Sequence, residues 1–467
     1  MFVKQLYTNC LSEAAYFIES NGVAAVIDPL RDIEVYLDLA KERNAKIQYI
    51  FETHFHADFV SGHLELAKAT GAQIVFGPDA VTNFEAYIAK NDEVFNIGEL
   101  TLKVLHTPGH TLESTCYLLS DGQQQPYAVF TGDTLFVGDV GRPDLFSGNL
   151  SKEELAGMLY DSLNNVIKAL PDNVIVYPAH GPGSACGKNL GPNTYSSIGD
   201  EKATNYALLA TDKAKFVEEV TTGLTTPPSY FPINAKINKE GYDALQAVMD
   251  KAMQPLAPAA FKAKGASGAL ILDTRPAVEF GDGFVPGSIS IGLEGRFAEW
   301  AGSLLPFDQD IILVTTPGKE EETVVRMARV GFENVVGYLE GGFPAWEAAG
   351  LQKDLIITVE PDELAMDVPH DENLVIMDVR KPAEFASGHI KDAVSLPLGE
   401  MTDPGKLADM DEHLNLYVHC QGGYRSIIAC SILKKEGIHN IRNVDGGYAK
   451  MKDEKGLVVV QEKTVLN

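Results

Sequence analysis

Asp273-Thr-Arg-Pro-Ala-Val-Glu-Phe and Asp378-Val-Arg-Lys-Pro-Ala-Glu-Phe stand 105 positions apart, and Gly341-Gly342 and Gly446-Gly447 stand at the same offset. Two markers sharing one offset, far apart within each copy, indicate a duplicated domain of about that length. Each copy alternates short apolar strands (ALILD and IILVT, then LVIMD and LNLYVHC) with helical stretches. That alternation implies an α/β domain with a parallel sheet covered by helices on both faces. The two copies use less than half of the 467 residues. At roughly 100–200 residues per domain, a further domain precedes them. The expected domains are 1–250, 255–353 and 357–467.

Asp and Glu number 65 against 38 Lys and Arg, a formal net charge of −27. Such a chain is repelled by phosphate backbones and anionic headgroups, which argues against nucleic-acid and membrane partners. Five scattered cysteines, Cys10, Cys116, Cys186, Cys420 and Cys430, form no disulfide framework and fit a reducing compartment. No basic segment followed by an apolar run opens the sequence, and no stretch approaches the ~20 apolar residues of a membrane helix. A cytoplasmic protein is expected.

In the first domain, VAAVID, KIQYIFETH, LTLKVLHTPGH, YAVFTGD and NVIVYPAH read as strands, each ending in a turn that carries a polar residue. Asp200 to Val220 reads as one closing helix, and TTGLTTPPSYFPINAKINKEG, rich in Pro, Thr and Asn, as connecting chain. At the end of the second strand, Thr53-His54-Phe55-His56-Ala57-Asp58-Phe59 places residues 54, 56 and 58 on one face. His110, Asp133 and His180 follow at later strand ends. Imidazoles and carboxylates delivered this way offer a site for a divalent transition metal.

This set resembles the metallo-β-lactamase superfamily, whose H-x-H-x-D-H pattern is followed by His, Asp and His, over about residues 1–240. The last His of the first motif is Phe59 here, which cannot coordinate and argues against a complete dinuclear site. Within the superfamily the chain is most similar to the persulfide dioxygenases. The resemblance implies an αββα sandwich and one Fe(II) per chain on His54, His110 and Asp133. Two imidazoles and a carboxylate with open positions suit a ferrous oxygenase. His56, Asp58 and His180 would then orient ligands and bound water. Gly141-Arg142-Pro-Asp resembles a segment in which the Arg holds the thiol substrate, making Arg142 the expected anchor for the thiol carrier. Gly183-Ser-Ala-Cys186-Gly-Lys188 resembles a segment of dioxygenases fused to rhodaneses. Cys186, set among glycines beside Lys188, is read as a thiol that holds or receives sulfane sulfur.

In the third domain the strand LNLYVH runs into Cys420-Gln-Gly-Gly-Tyr-Arg425-Ser and then an apolar helix. Consecutive backbone N–H groups and the helix dipole around Cys420 favour a thiolate and a persulfide, and Arg425 adds charge for an oxyanion. C-x5-S with an Arg is also phosphatase-like, but with DVRKPAEF, GHI and DGG the segment resembles a rhodanese. In the middle domain the matching position is Thr315, in the loop TTPGKEEET. That copy resembles an inactive rhodanese.

The expected function is oxidation of a low-molecular-weight thiol persulfide by O₂ to sulfite and thiol, coupled through Cys420 to forming or using thiosulfate. A binuclear thioester hydrolase of glyoxalase II type is the alternative, and a non-enzymatic sulfur carrier a third. The identity of the thiol, the direction of transfer and homo-oligomer formation stay open.

Overall fold

The computed structural model describes residues 1–145, 150–188, 190–408 and 413–461, so the last six positions of the third domain lie outside it. The chain forms two compact units: Met1–Ala247 together with Met327–Glu333, and Val248–Arg326 together with Asn334–Asn467.

The first unit is an αββα sandwich. One six-stranded sheet runs in the order Phe2–Thr8, Glu13–Ser20, Val23–Ile27, Lys46–Glu52, Gln73–Phe76, Tyr87–Ile88. The second runs Ser196–Ser197, Ile175–Pro178, Pro126–Gly132, Thr115–Ser120, Leu100–His106, Val94–Ile97. Period-two side-chain alternation builds three apolar layers. Tyr16, Ile18, Ile27 and Phe51 of the first sheet meet Leu102, Val104, Tyr117 and Phe130 of the second. Between them, Ala15, Phe17 and Val26 point the other way, under Tyr36 and Leu39 of the helix Glu34–Glu42. Leu105, Leu118 and Val129 face Leu159 and Phe216 of the helices Lys152–Ser162 and Lys213–Thr221. Ser151 starts the former helix with a capping box to Glu154.

Two stretches depart from the sequence reading. Asp200–Val220 is three helices, because Asn205 caps Tyr206–Leu209 and Asp212 caps Lys213–Thr221, each accepting an amide and restarting the chain. The segment expected to be connecting chain contains the helix Phe231–Glu240. Its proline sits in the first turn, where no N–H is needed, and its buried Asn234 and Asn238 replaced the apolar residues by which a helix is usually recognised.

The second unit contains two five-stranded parallel sheets of matching order. They are Pro255–Leu256, Val335–Leu339, Ile311–Val314, Leu270–Asp273, Ile289–Ser290, and Ile357–Val359, Ile441–Val444, Asn415–His419, Leu374–Asp378, Val394–Ser395. The duplication extends to individual contacts. Arg275 Nη2 donates to Asp273 (2.6 Å) and to the Gly283 carbonyl (2.9 Å), and its guanidinium lies 4.2 Å over Phe343. Arg380 Nη2 donates to Asp378 (2.6 Å) and to the Gly388 carbonyl (2.7 Å), and lies 3.9 Å over Tyr448. Gly342 and Gly447 have φ of +64° and +55°. A Cβ on either would press on the carbonyl of Thr315 or Cys420 respectively, so both positions require glycine.

Among the described residues, no helix is long and apolar enough to cross a membrane.

Candidate metal centre

The ends of four strands bring His54, His110, Asp133 and His180 together beneath the sandwich edge. Their rings are oriented by hydrogen bonds that also set the tautomer. Thr53 Oγ1 donates to Asp28 Oδ2 (2.9 Å) and lies 3.0 Å from His54 Nδ1. With its proton spent on Asp28, the hydroxyl accepts from Nδ1–H. His110 Nδ1 is 2.8 Å from the Arg142 carbonyl, and His180 Nδ1 is 3.1 Å from the Ser12 carbonyl. A carbonyl only accepts, so both nitrogens donate. All three Nε2 atoms are left with free lone pairs, the tautomer a metal requires.

Those lone pairs converge on Asp133. His54 Nε2 and His110 Nε2 are 3.8 and 3.4 Å from Asp133 Oδ2, and His180 Nε2 is 3.5 Å from Oδ1. The ligand atoms of His54, His110 and Asp133 lie within 4.8 Å of one another. Asp133 is 2 % exposed, and neither of its oxygens has a hydrogen-bond partner among the described residues. A buried carboxylate without donors costs several kcal/mol, and a bound cation removes that cost. The donor set therefore fits a divalent metal. Burial, reinforced by His56, His110 and His180, holds His54 well below the usual imidazole range and keeps it neutral.

His56 is placed differently. Its Nε2 lies 3.0 Å from Asp28 Oδ1 and 3.6 Å from Glu52 Oε2, although a ligand atom of its ring also falls within 4.8 Å of those of Asp58 and His180. Burial alone would lower it, but Asp28, Glu52 and Asp58 outweigh burial and raise it to about 10. The Phe59 ring, fully buried, packs 4.3 Å from the His56 ring. Asp58 Oδ2 lies 3.4 Å from His180 Nε2.

The two expected thiol-handling residues sit in unexpected surroundings. Arg142 is buried and its fork is filled: Nε and Nη2 donate to Asp144 (2.6 and 2.7 Å), with the carbonyls of Ala185 and Thr225 also accepting. It is not an open anchor for a thiol carrier. What it gives the centre is the carbonyl that fixes His110. Cys186 is 1 % exposed, and Lys188 points away to the carbonyls of Glu219 and Thr222. Burial first, then Asp58 and Asp133, push the Cys186 thiol up, so the glycine-rich segment neither exposes nor activates it. Its sulfur nevertheless lies within 4.8 Å of ligand atoms of Asp133 and His180.

Sequence reasoning missed Asn238. Its Nδ2 donates to the carbonyls of His56 and Phe59 (2.7 Å each) and its Oδ1 accepts from Ser61 N (2.8 Å), fixing the metal-motif loop. Its only sequence signal was an Asn spacing of four, Asn234 and Asn238, on one helical face. A cavity of about 480 Å³ has His110, Phe55 and Thr111 in its wall, with Lys236 and Lys239 of the same helix.

In the third domain, Gly423 N donates to Cys420 Sγ (3.1 Å) at the start of the helix Tyr424–Lys435, and Ser426 Oγ lies 3.8 Å from the sulfur. Arg425 makes a two-pronged pair with Glu384 (2.7 and 2.8 Å), so its charge is already matched rather than presented unpaired to an oxyanion. In the middle repeat Gly318 N instead donates to Glu320 Oε2 (2.9 Å), and Thr315 Oγ1 donates to Glu320 Oε1 (3.2 Å).

Comparison with known proteins divides the chain the same way. A metallo-beta-lactamase superfamily model matches residues 8–180, and a rhodanese-like domain model matches 257–349 and 360–454. A probable hydroxyacylglutathione hydrolase of Schizosaccharomyces pombe is 36% identical over 166 residues, 35% of this chain and 60% of that protein. The hydroxyacylglutathione hydrolase of Dictyostelium discoideum is 40% identical over 168 residues, 35% of this chain and 59% of that protein. The chain thus spans about 60% of the length of these curated relatives. A crystal structure of a metallo-beta-lactamase from Staphylococcus aureus is 33% identical, with a TM-score of 0.67 over 73% of this chain and 99% of that one.

Proposed function

As the chain belongs to the metallo-β-lactamase superfamily and carries two rhodanese-like domains behind that fold, we propose that its first domain oxidises a low-molecular-weight thiol persulfide with dioxygen to sulfite and free thiol. Cys420 then carries sulfane sulfur, combining it with sulfite to give thiosulfate or running the reverse transfer. The observation that carries this reading is a three-residue ligand set, His54, His110 and Asp133, with His56 turned to Asp28 and phenylalanine at position 59. Two imidazoles and one carboxylate around one position leave several sites open, an arrangement suited to ferrous oxygenases. One Fe(II) held by these residues would supply the dioxygen chemistry.

The protein's own part is orientation of the ligands, the substrate and the water that sulfite formation consumes. Thr53 and the Arg142 carbonyl hold the two imidazoles. The pair Asp58–His180, at 3.4 Å, is placed to hold a water beside Asp133. With the Arg142 fork filled, Lys239 and Lys236, the latter 3.8 Å from Glu240, are cations of the cavity wall, among the described residues, that can meet the carboxylates or phosphates of a thiol carrier. Cys420, cradled by Gly423 N–H, offers a sulfur acceptor at a helix start.

A second reading is thioester hydrolysis at two metals. The relatives named hydroxyacylglutathione hydrolase favour it, as does the grouping of Cys186 with Asp133 and His180, which could hold a second ion without a histidine at 59. Metal analysis and substrate turnover on protein purified without oxygen separate the two. One iron per chain with persulfide-dependent O₂ uptake supports the dioxygenase. Two zinc per chain with hydrolysis of a glutathione thioester, and no O₂ uptake, overturns it.

A further inference from the structure

The turn after the helix Glu320–Ala328 lies, in sequence, within the cysteine-free repeat, yet Met327–Glu333 packs as part of the first unit. Met327, Ala328, Val330 and Phe332 are fully buried. Polar contacts of this turn reach two loops of the metal centre, and Arg329 Nη1 also lies 3.9 Å from Cys10 Sγ.

The first is the loop that continues the metal motif. Val60 N donates to the Arg329 carbonyl at 2.7 Å, one residue after Phe59. Asn238 takes His56, Phe59 and Ser61, the Pro29 carbonyl accepts from Gly62 N (2.6 Å), and Tyr242 donates to the Ser61 carbonyl. The Arg329 carbonyl thus fixes the one amide between Phe59 and Ser61. The second is the loop after Asp28, the carboxylate that holds Thr53 and His56. Arg31, with no exposed surface, donates to the Ala328 carbonyl (3.3 Å) and to Glu333 Oε1 (3.0 Å), and stacks 4.6 Å over Tyr242. The Arg329 guanidinium forks onto Asp32 (2.9 and 2.7 Å).

We propose that Met327–Glu333 is a positioning element of the metal centre, clamping the 28–32 and 56–64 loops together so that the ligand at position 54, held through Asp28 and Thr53, keeps its place. Arg329 is its key residue, its carbonyl on one loop and its guanidinium on the other. The proposal does not depend on whether the centre oxidises or hydrolyses.

The test is the rate at which the cobalt-loaded full-length protein loses metal to a chelator, read by the cobalt absorption spectrum, with hydrogen exchange of residues 56–64 followed in metal-free protein. Arg329→Ala and Asp32→Ala should each release metal about tenfold faster, the usual effect of removing a group that supports a ligand, and should raise exchange across 56–64. The charge-swapped pair Arg329→Asp with Asp32→Arg should recover most of the loss. Arg326→Ala, in the last turn of the preceding helix but bonded to the Leu293 carbonyl and Glu322, should match the parent. If Arg329→Ala does not fold, Arg329→Lys and Asp32→Asn are read in the same assay against the same marks. Release within twofold of the parent together with unchanged exchange overturns the proposal. So does an equal acceleration in Arg326→Ala, which would mean general loosening of the repeat.

Discussion

In the third domain the amide of Gly423 points at a cysteine sulfur; in the middle domain the amide of Gly318, 105 positions earlier, points at the carboxylate of Glu320. Around these amides the two frames agree. The buried Asp–Arg pairs, the glycine carbonyls they reach, the aromatic rings beneath the guanidiniums and the glycines packed on the 315 and 420 carbonyls all recur. The chemistry diverges at two positions: Cys420 is matched by Thr315 and Arg425 by Glu320, whereas Glu384, the partner of Arg425, is kept as Glu279. A loop built to hold an anion holds sulfur in one copy and its own side chain in the other. The comparison teaches that the parallel-sheet frame tolerates either filling, so activity resides in the loop and stability in the frame.

Four experiments can break or sharpen this contrast. The largest effect belongs to Cys420→Ser, expected to lower sulfur transfer by on the order of 10³-fold or more, as loss of a nucleophile does. Persulfide-dependent O₂ uptake should persist, and Thr315→Ser should change neither rate; steady-state assays of both reactions decide it. Next come the frames. Arg275→Ala and Arg380→Ala each leave a buried carboxylate unpaired, and each should lower unfolding free energy by about 3 kcal/mol in urea titrations. A large loss in one alone would show that the frames are not equivalent.

A transplant follows. Thr315→Cys combined with Glu320→Arg should give a thiol at 315 that is alkylated within about tenfold of the Cys420 rate. Thr315→Cys alone, beside the Glu320 carboxylate, should react about tenfold slower than the double variant. Equal rates for the two would show that Glu320 does not quiet the loop.

The smallest effect is a pH dependence. Burial raises Glu384, but the Arg425 fork and the Lys381 amide outweigh it and hold the carboxyl below its usual range. A depressed folded-state value contributes stability that is present above the ordinary Glu pKa and lost as pH falls through the lower value. Because Glu384 is about one-third exposed, the contribution should be only about 0.5 kcal/mol. Acid unfolding of Glu384→Gln should lack this component, and superimposable curves would mean the pair adds nothing.

The metal cluster and the duplicated frame were legible because both are written in local signals: polar residues at the ends of apolar strands, and two markers at one offset. The helix Phe231–Glu240 was not, since its buried face carries Asn234 and Asn238 where an apolar stripe would announce a helix. The filled fork of Arg142 was also out of reach. One of its acceptors, Thr225, lies 83 residues away, and spacing cannot reveal such a partner. The Glu320 run in the middle loop could be read as hostile to oxyanions, but only the fold shows that one of those carboxylates occupies the cradle. Half of the role of Arg329 rests on a carbonyl, which any residue type supplies, and the other half on a fork to Asp32, 297 residues away, and spacing reveals neither.

The self-filled loop of the middle domain also ties two positions together. A cysteine at 315 alone would face the Glu320 carboxylate, and an arginine at 320 alone would flank the Thr315 hydroxyl. Changes at 315 and 320 should therefore be non-additive: the pair gains more thiol reactivity than the two single substitutions summed.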